Sequence, residues 1–266
     1  MLPRRSAFTR KEAWRRSVAQ VVAANVDTVF LVTAFGGDLS PRRLERYLTS
    51  AWDSGSNPVV VANKVDLADD PVLELAEVEA VAIGVPVIAL SAATGTGLDE
   101  LAQHLAPGRT IALLGSSGVG KSTLVNRLAG RELLVTREVS ANGRGRHTTT
   151  HRELVLLPSG AMLIDTPGMR ELQLWADEEV LESTFTEIAE LAAACRFTDC
   201  SHEHEPGCAV KAAIAEGSLP SERFASYRKL QRELRALEIR KDARLRAEAR
   251  KERRRHSRRM RKSSYS

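Results

Sequence analysis

Long apolar runs are missing from this 266-residue chain. No stretch of about 18 consecutive apolar residues occurs, which argues against a membrane-spanning helix and a membrane partner. Nor does an apolar stretch stand behind the arginines of MLPRRSAFTRKEAWRR, so the N-terminus does not read as a secretory signal. A cytoplasmic chain is expected. Cysteine is scarce, three in all, and the three fall between residues 195 and 208. Three thiols cannot pair completely as disulfides, and a cytosolic setting disfavours disulfides in any case. No internal repeat is found. What is present is an apolar content of 43%, enough for a real core and too much for a disordered protein. The length suits one domain of ordinary size plus a smaller module.

The net charge of +5 conceals an asymmetry. From Arg228 to Lys262 there are 17 Lys and Arg against 5 Asp and Glu, a local excess of +12, so the remainder of the chain carries −7. An acidic body with a basic C-terminal arm points to a nucleic-acid partner for the arm. The arm has no interleaved aromatics, so it is expected to hold phosphates and not to stack on bases.

Hydrophobic patterning predicts short buried strands alternating with helices. Val26 to Val32, Asn57 to Ala62, Pro86 to Leu90 and Thr110 to Leu114 read as strands. A helix starts at Ser40-Pro41, where Ser40 can cap and Pro41 suits the first turn. Another covers roughly residues 71 to 82, and KSTLVNRLAG forms a third after the Thr110 strand. This alternation implies a parallel sheet covered on both faces. Leu154 to Leu157 and Ala161 to Ile164 flank Pro158-Ser159-Gly160 as a hairpin, residues 131 to 151 read as a loop, and helices are expected from Trp175 onward.

Gly115, Ser116, Ser117, Gly118, Val119, Gly120, Lys121 and Ser122 fit the pattern G-x-x-x-x-G-K-[ST], with Thr123 next in the helix. Glycines let backbone N–H groups turn inward around phosphate oxygens, and the helix N-terminus adds its dipole. Lys121 is expected to reach the β and γ phosphates, and Ser122 to ligate magnesium. Asn63-Lys64-Val65-Asp66 follows a strand, where such sheets bind ligands. The Asp66 carboxylate can accept from N1–H and the exocyclic amine of guanine, which selects GTP over ATP. The Lys64 stem can lie over the base, and Asn63 can tie this loop to the phosphate loop. Ser91-Ala92, also past a strand, offers backbone N–H groups to the base. Asp165-Thr166-Pro167-Gly168 reads as the switch motif, with Asp165 holding magnesium through water and the Gly168 N–H sensing the γ-phosphate.

Many GTP hydrolases place glutamine directly after this glycine to orient the attacking water. Met169 stands there and cannot do so. A threonine within Gly145-Arg146-His147-Thr148-Thr149-Thr150 can complete the magnesium shell, and His147 can hydrogen-bond a water near neutral pH. Cys195, Cys200, His202 and Cys208 form a Cys3His set suited to one closed, structural zinc site. His204 is a rival fourth ligand.

The motif order NKVD, SA, GSSGVGKS, HTTT, DTPG resembles the circularly permuted GTPases. With the C-x4-C-x-H-x5-C knuckle, the chain resembles the family of small-ribosomal-subunit biogenesis GTPases over nearly its whole length. AQVVAANVDTVFLV, SAATGTGL, GSSGVGKSTLVN, GRHTTTHREL, IDTPGMREL and CRFTDCSHEHEPGCAV carry the likeness. The resemblance implies an α/β P-loop GTPase domain with permuted motif order, followed by a mostly helical zinc-binding C-terminal domain. It implies Thr149 as the switch threonine that ligates magnesium, His147 as the water-positioning residue, and His202 as the zinc ligand. Lys121, His147 and Thr149 are then the catalytic set. The expected division is a basic linker at 1–20, the GTPase domain at 21–173, the zinc-binding domain at 174–227 and a basic helix or tail at 228–266. Family members usually carry an N-terminal OB-fold barrel that contacts ribosomal RNA. Residues 2 to 16 look like the linker after such a barrel, so the barrel itself is expected to be missing. The implied partners are GTP and GDP, the 30S subunit and its 16S rRNA, bound by a monomer late in subunit maturation. A different class, an RNA-binding switch gated by nucleotide whose hydrolysis is incidental, fits the same motifs. A DNA-binding zinc protein does not, because the knuckle lacks a recognition helix with base-reading side chains.

Overall fold

The structure is a computed structural model that describes residues 3–11, 19–36, 39–134, 153–165 and 178–241. The chain divides into two compact units, one formed by Met1–Lys11 and Ala19–Ala189, the other running mainly from Glu190.

The first unit is built on a six-stranded sheet. Its strands are β3 (Thr28–Ala34), β4 (Asn57–Asn63), β5 (Val87–Ala89), β6 (Thr110–Leu114), β7 (Glu153–Leu156) and β8 (Met162–Asp165), in the spatial order β5-β4-β3-β6-β8-β7. Five strands run parallel; the edge strand β7 is antiparallel and returns through a hairpin into β8.

Successive side chains on a strand point to opposite faces, and here both faces are covered. Phe30, Val32, Val59, Val61, Ile111 and Leu113 enter one core with Leu101, Leu124 and Val125. Val29, Leu31, Val60, Ala112 and Leu114 enter the other, against Leu44, Leu48, Ala51 and Val78. The first set of helical residues comes from α3 (Leu98–Ala102) and α4 (Lys121–Ala129), the second from α1 (Pro41–Asp53) and α2 (Pro71–Glu79). This two-faced burial is why the central strands read as unbroken apolar runs.

Local chemistry sets the helix starts differently. Asp70 caps α2 by accepting from the Leu73 amide at 3.0 Å, ahead of Pro71. At α1 Pro41 occupies the first turn as expected, but Ser40 makes no side-chain cap; its carbonyl accepts from the Arg43 and Leu44 amides instead.

A second, two-stranded antiparallel sheet pairs β1 (Ala7–Lys11) with β2 (Ala19–Ala24). Phe8 and Val22 from it are buried in the core on the α1 side of the main sheet. Basic residues around Phe8 dilute the apolar pattern there. At the base of the sheet, Asp27 accepts from the Thr110 amide at 2.9 Å and from Arg109 at 3.1 Å. Those bonds and the charges of Arg109 and Arg5 hold its pKa below the ordinary value, although burial opposes them.

In the second unit, α7 (Ala209–Glu216) and α8 (Ser221–Lys241) bury Val210, Ala213, Leu219, Leu230 and Leu234. Along the chain, α5 (Glu178–Thr184) and α6 (Thr186–Ala193) follow the sheet and precede the knuckle. Among the described residues, no helix is long and apolar enough to cross a membrane.

Candidate nucleotide site and metal knuckle

The sequence motifs converge because parallel strands end on the same side of the sheet. Asn63 ends β4, Ser91 lies just past β5, Gly115 directly follows β6 and Asp165 ends β8. The strand leading to the phosphate-binding loop, β6, lies between β8 and β3, and β3 separates it from β4.

The loop from Gly115 to Gly120 is shaped by close approaches. A Cβ on Gly115 would overlap the Val32 carbonyl, and one on Gly120, whose φ is +91°, would overlap the Asn63 amide nitrogen. Val119 anchors the loop by burying its side chain in the core on the α4 side. Lys121 opens α4 with its side chain only 7% exposed; its Nζ donates to the Gly115 carbonyl at 2.8 Å and to that of Ser116. The ammonium therefore sits inside the curl of the loop. Ser117 is exposed, while Ser122 and Thr123 are half-buried in the first turn of α4.

Asn63 joins two loops to one another. It is 2% exposed, donates from Nδ2 to the Val119 carbonyl at 2.8 Å, and accepts on Oδ1 from the Ala92 amide at 2.9 Å. Lys64 follows with φ +65°, a left-handed turn that lifts the next residues off the strand. Asp66 lies exposed in the single 3-10 turn Val65–Leu67. Both amides expected to face a base are engaged within the protein: Ser91 donates to the Thr96 carbonyl at 2.9 Å and Ala92 to Asn63.

Two consecutive residues at the far end of α4 were not singled out by sequence. Arg127 donates from Nε to the Ala92 carbonyl at 3.1 Å and from a terminal nitrogen to that of Ala93. Asn126 accepts from the Leu133 and Leu134 amides at 2.9 and 2.8 Å and donates to the Leu134 carbonyl at 2.7 Å. A basic residue in a last helical turn is so common that it carries no signal of such a contact.

His147, Thr149 and Gly168 lie outside the described residues. Asp165 is placed as a backbone position, opposite Glu153 in the β7–β8 ladder.

In the second unit Cys195, Cys200, His202 and Cys208 present one ligand atom each, all within 4.8 Å of one another. Sγ of Cys195 lies 3.6 Å from His202 Nδ1 and 3.9 Å from Cys208 Sγ, and His202 Nδ1 lies 3.4 Å from Cys208 Sγ. His204 is exposed and outside this group. Four such donors in one shell could hold a metal ion.

The knuckle's electrostatics follow from its neighbours. Burial opposes ionisation of Cys195, but the Val210 and Ala209 amides and bonds from the other thiols outweigh it and lower its pKa. Cys200 is pushed up to about 11, by burial first and by the adjacent Cys208 and Cys195 thiols. Burial, then the charge of Arg228, lowers the His202 pKa and favours the neutral imidazole that a metal requires.

Glu205, also not singled out by sequence, organises the loop around these ligands. Its carboxylate accepts from the Ser201 hydroxyl and from the amides of Ser201, Glu203 and His204, at 3.2, 3.1 and 3.1 Å for the amides. Those bonds, the hydroxyl's first, hold it down to about 2. Helix α8 braces the same loop: Arg228 donates to the Ser201 carbonyl at 3.2 Å and pairs with Glu203, and Phe224 meets the His202 ring edge-on at 6.1 Å.

A glycine-curled loop between strand and helix, with an Asn-Lys-x-Asp turn tied to it, defines a P-loop nucleotide-binding protein whose motifs run in permuted order. The sequence matches the RsgA GTPase family model over residues 1–175. The chain belongs to that family. It is 57% identical over 235 residues to the small ribosomal subunit biogenesis GTPase RsgA of Opitutus terrae, an alignment covering 88% of this chain and 64% of that relative. Less than two thirds of the relative's length is thus represented here. Among solved structures, YjeQ from Thermotoga maritima is 32% identical with a TM-score of 0.64, covering 88% of this chain and 76% of that one. YloQ, described as a circularly permuted GTPase, is 26% identical with a TM-score of 0.58, covering 86% and 79%. The fold agrees with the sequence expectation of an α/β P-loop domain in permuted order, followed by helices bearing a Cys/His cluster.

Proposed function

We propose that this chain binds and hydrolyses GTP and acts on the small ribosomal subunit during its maturation. The observation that carries the nucleotide reading is the pair of hydrogen bonds at Asn63: its Nδ2 donates to the Val119 carbonyl of the phosphate-binding loop, and its Oδ1 accepts from the Ala92 amide. Asp66 accepts from N1–H and the 2-amine of guanine, and the Lys64 stem covers the base. The loop from Gly115 to Thr123 wraps the phosphates, with Lys121 moving its ammonium from loop carbonyls to the β and γ oxygens.

Magnesium, when bound, would neutralise charge on the β and γ phosphates, held by Ser122, by Thr149 and through water by Asp165. Met169 has no group to orient a water, so we assign that task to His147. Replacing His147 with alanine is expected to leave GTP affinity near the parent value and slow turnover, because the interaction belongs to the transition state.

For the knuckle we propose one structural zinc per chain, with His202 as fourth ligand. A tetrahedral ion with Zn–S bonds of 2.3 Å separates its sulfurs by about 3.8 Å, and the Cys195–Cys208 separation is 3.9 Å. Four protein donors close a tetrahedral shell, as suits a structural site.

We further assign the basic arm to the 16S rRNA of the 30S particle, with the protein acting as a cytoplasmic monomer. The relatives' name, small ribosomal subunit biogenesis GTPase, supports the small-subunit part of this reading. The test is GTP turnover measured against purified 30S, 50S and 70S particles. Stimulation by 30S alone is expected; equal turnover with all three would remove the small-subunit assignment. Nucleotide-dependent 30S binding without faster hydrolysis would favour the switch reading instead.

A further inference from the structure

We propose that Arg127 is a positioning residue for guanine recognition, acting through the loop Ser91–Ala93. This rests on the guanine reading above and adds a residue to it. Asn63 and Arg127 between them hold three of the loop's backbone groups. Asn63 Oδ1 takes the Ala92 amide at 2.9 Å, the Arg127 Nε takes the Ala92 carbonyl at 3.1 Å, and a second Arg127 nitrogen takes the Ala93 carbonyl. The Thr94 amide is held by the Ser91 hydroxyl at 3.1 Å.

A trans peptide is planar, with its C=O and N–H pointing oppositely. Fixing the Ala92 carbonyl toward α4 therefore fixes the Ala93 N–H on the other side, and the same holds for the next peptide. One guanidinium thus sets the orientation of two successive peptide planes, which its planar fork of donors suits better than an ammonium does. With the Ser91, Ala92 and Thr94 amides already bonded within the protein, the Ala93 amide is the donor this loop presents to the 6-oxo group of a purine bound at Asp66. Donors fixed in advance bind without an ordering cost. Arg127 also stands on the helix that Lys121 begins, so one rigid element carries the phosphate ligand and holds the base-reading loop.

Arg127 is exposed, so truncating it leaves the core intact. The experiment compares GDP with 6-thioguanosine diphosphate, which keeps N1–H and the 2-amine but replaces the 6-oxygen with a weaker acceptor. In Arg127→Ala, GDP affinity is expected to fall about tenfold, the loss of one amide-to-carbonyl hydrogen bond with the 6-oxo group. The thio analogue is expected to lose about twofold or less, so the parent's preference for GDP shrinks. Turnover at saturating GTP is expected to stay at the parent value, placing the effect in KM, and Arg127→Lys is expected to recover part of the loss. Equal losses for both nucleotides would mean that Arg127 merely supports the fold, and no loss would mean that the loop does not depend on it. Either overturns the inference. A parent protein with no preference for GDP over ADP overturns the guanine reading itself, and the inference with it.

Discussion

Asn63 and Val119 stand 56 residues apart and meet through a single buried hydrogen bond of 2.8 Å, from the side-chain amide of one to the backbone carbonyl of the other. The bond runs from the end of β4 into the phosphate-binding loop, while the other half of the same amide holds Ala92. Gly120 beside Val119 has to be glycine because a Cβ there would occupy the space of the Asn63 nitrogen. Three separate segments of chain are thus registered on one planar side chain.

Asn63→Ala should leave the Val119 carbonyl and the Ala92 amide buried without their partner. Each such loss costs about 1–3 kcal/mol. Denaturant unfolding is expected to show a loss of about 2–6 kcal/mol, and GDP binding to weaken at least about tenfold as the loops lose their spacing. Asn63→Asp, of nearly the same shape, keeps an acceptor and loses the donor, so it should restore the Ala92 contact only. Parent-like binding by the alanine variant would show that the loops hold themselves.

Asp66 offers a carboxylate in an exposed turn, where substitution scarcely touches packing. Asp66→Asn is expected to weaken GTP binding and strengthen xanthosine triphosphate binding, because an amide donor then meets the 2-oxo group. Competition titrations with the two nucleotides read this directly. Unaltered GTP affinity would reduce the Asn-Lys-x-Asp segment to a plain turn.

One zinc per chain is expected in elemental analysis of the purified protein. Cys200→Ser should lower that content and speed proteolysis within residues 195–241 while leaving nucleotide affinity unchanged. Acid should release the metal, since protons compete with it for the thiolates. A fully folded preparation that never contained metal would remove the structural role.

Deleting residues 240–266 is expected to leave intrinsic GTP hydrolysis near normal while weakening 30S binding and its stimulation. The excess of +12 between Arg228 and Lys262 can neutralise RNA phosphates and release condensed counterions. Binding measured at several salt concentrations should then show a shallower slope for the shortened chain. Identical affinities and slopes for both proteins would make the arm a solvated tail.

What the sequence determined by itself was the chemistry that depends on spacing along the chain. The eight residues from Gly115 to Ser122, the four from Asn63 to Asp66 and the spacing of the cysteines were readable because each works within one turn or loop. The parallel sheet was readable for a related reason: strands buried on both faces leave continuous apolar runs. Tertiary structure alone decided which distant groups meet. Nothing local says that Arg127 should hold Ala92 and Ala93 rather than solvate a helix end. Nothing local says that Glu205, one acid among several in the knuckle, should gather three backbone amides. Phe8 found a core that its basic neighbours concealed, and Ser40 left its helix without a side-chain cap despite suitable chemistry. Of His202 and His204, it is His202 whose Nδ1 lies among the thiols, 3.6 Å from Cys195 Sγ, while His204 is exposed. Propensity and spacing act over a few residues, whereas these pairings are settled by which surfaces the whole chain brings within hydrogen-bond reach.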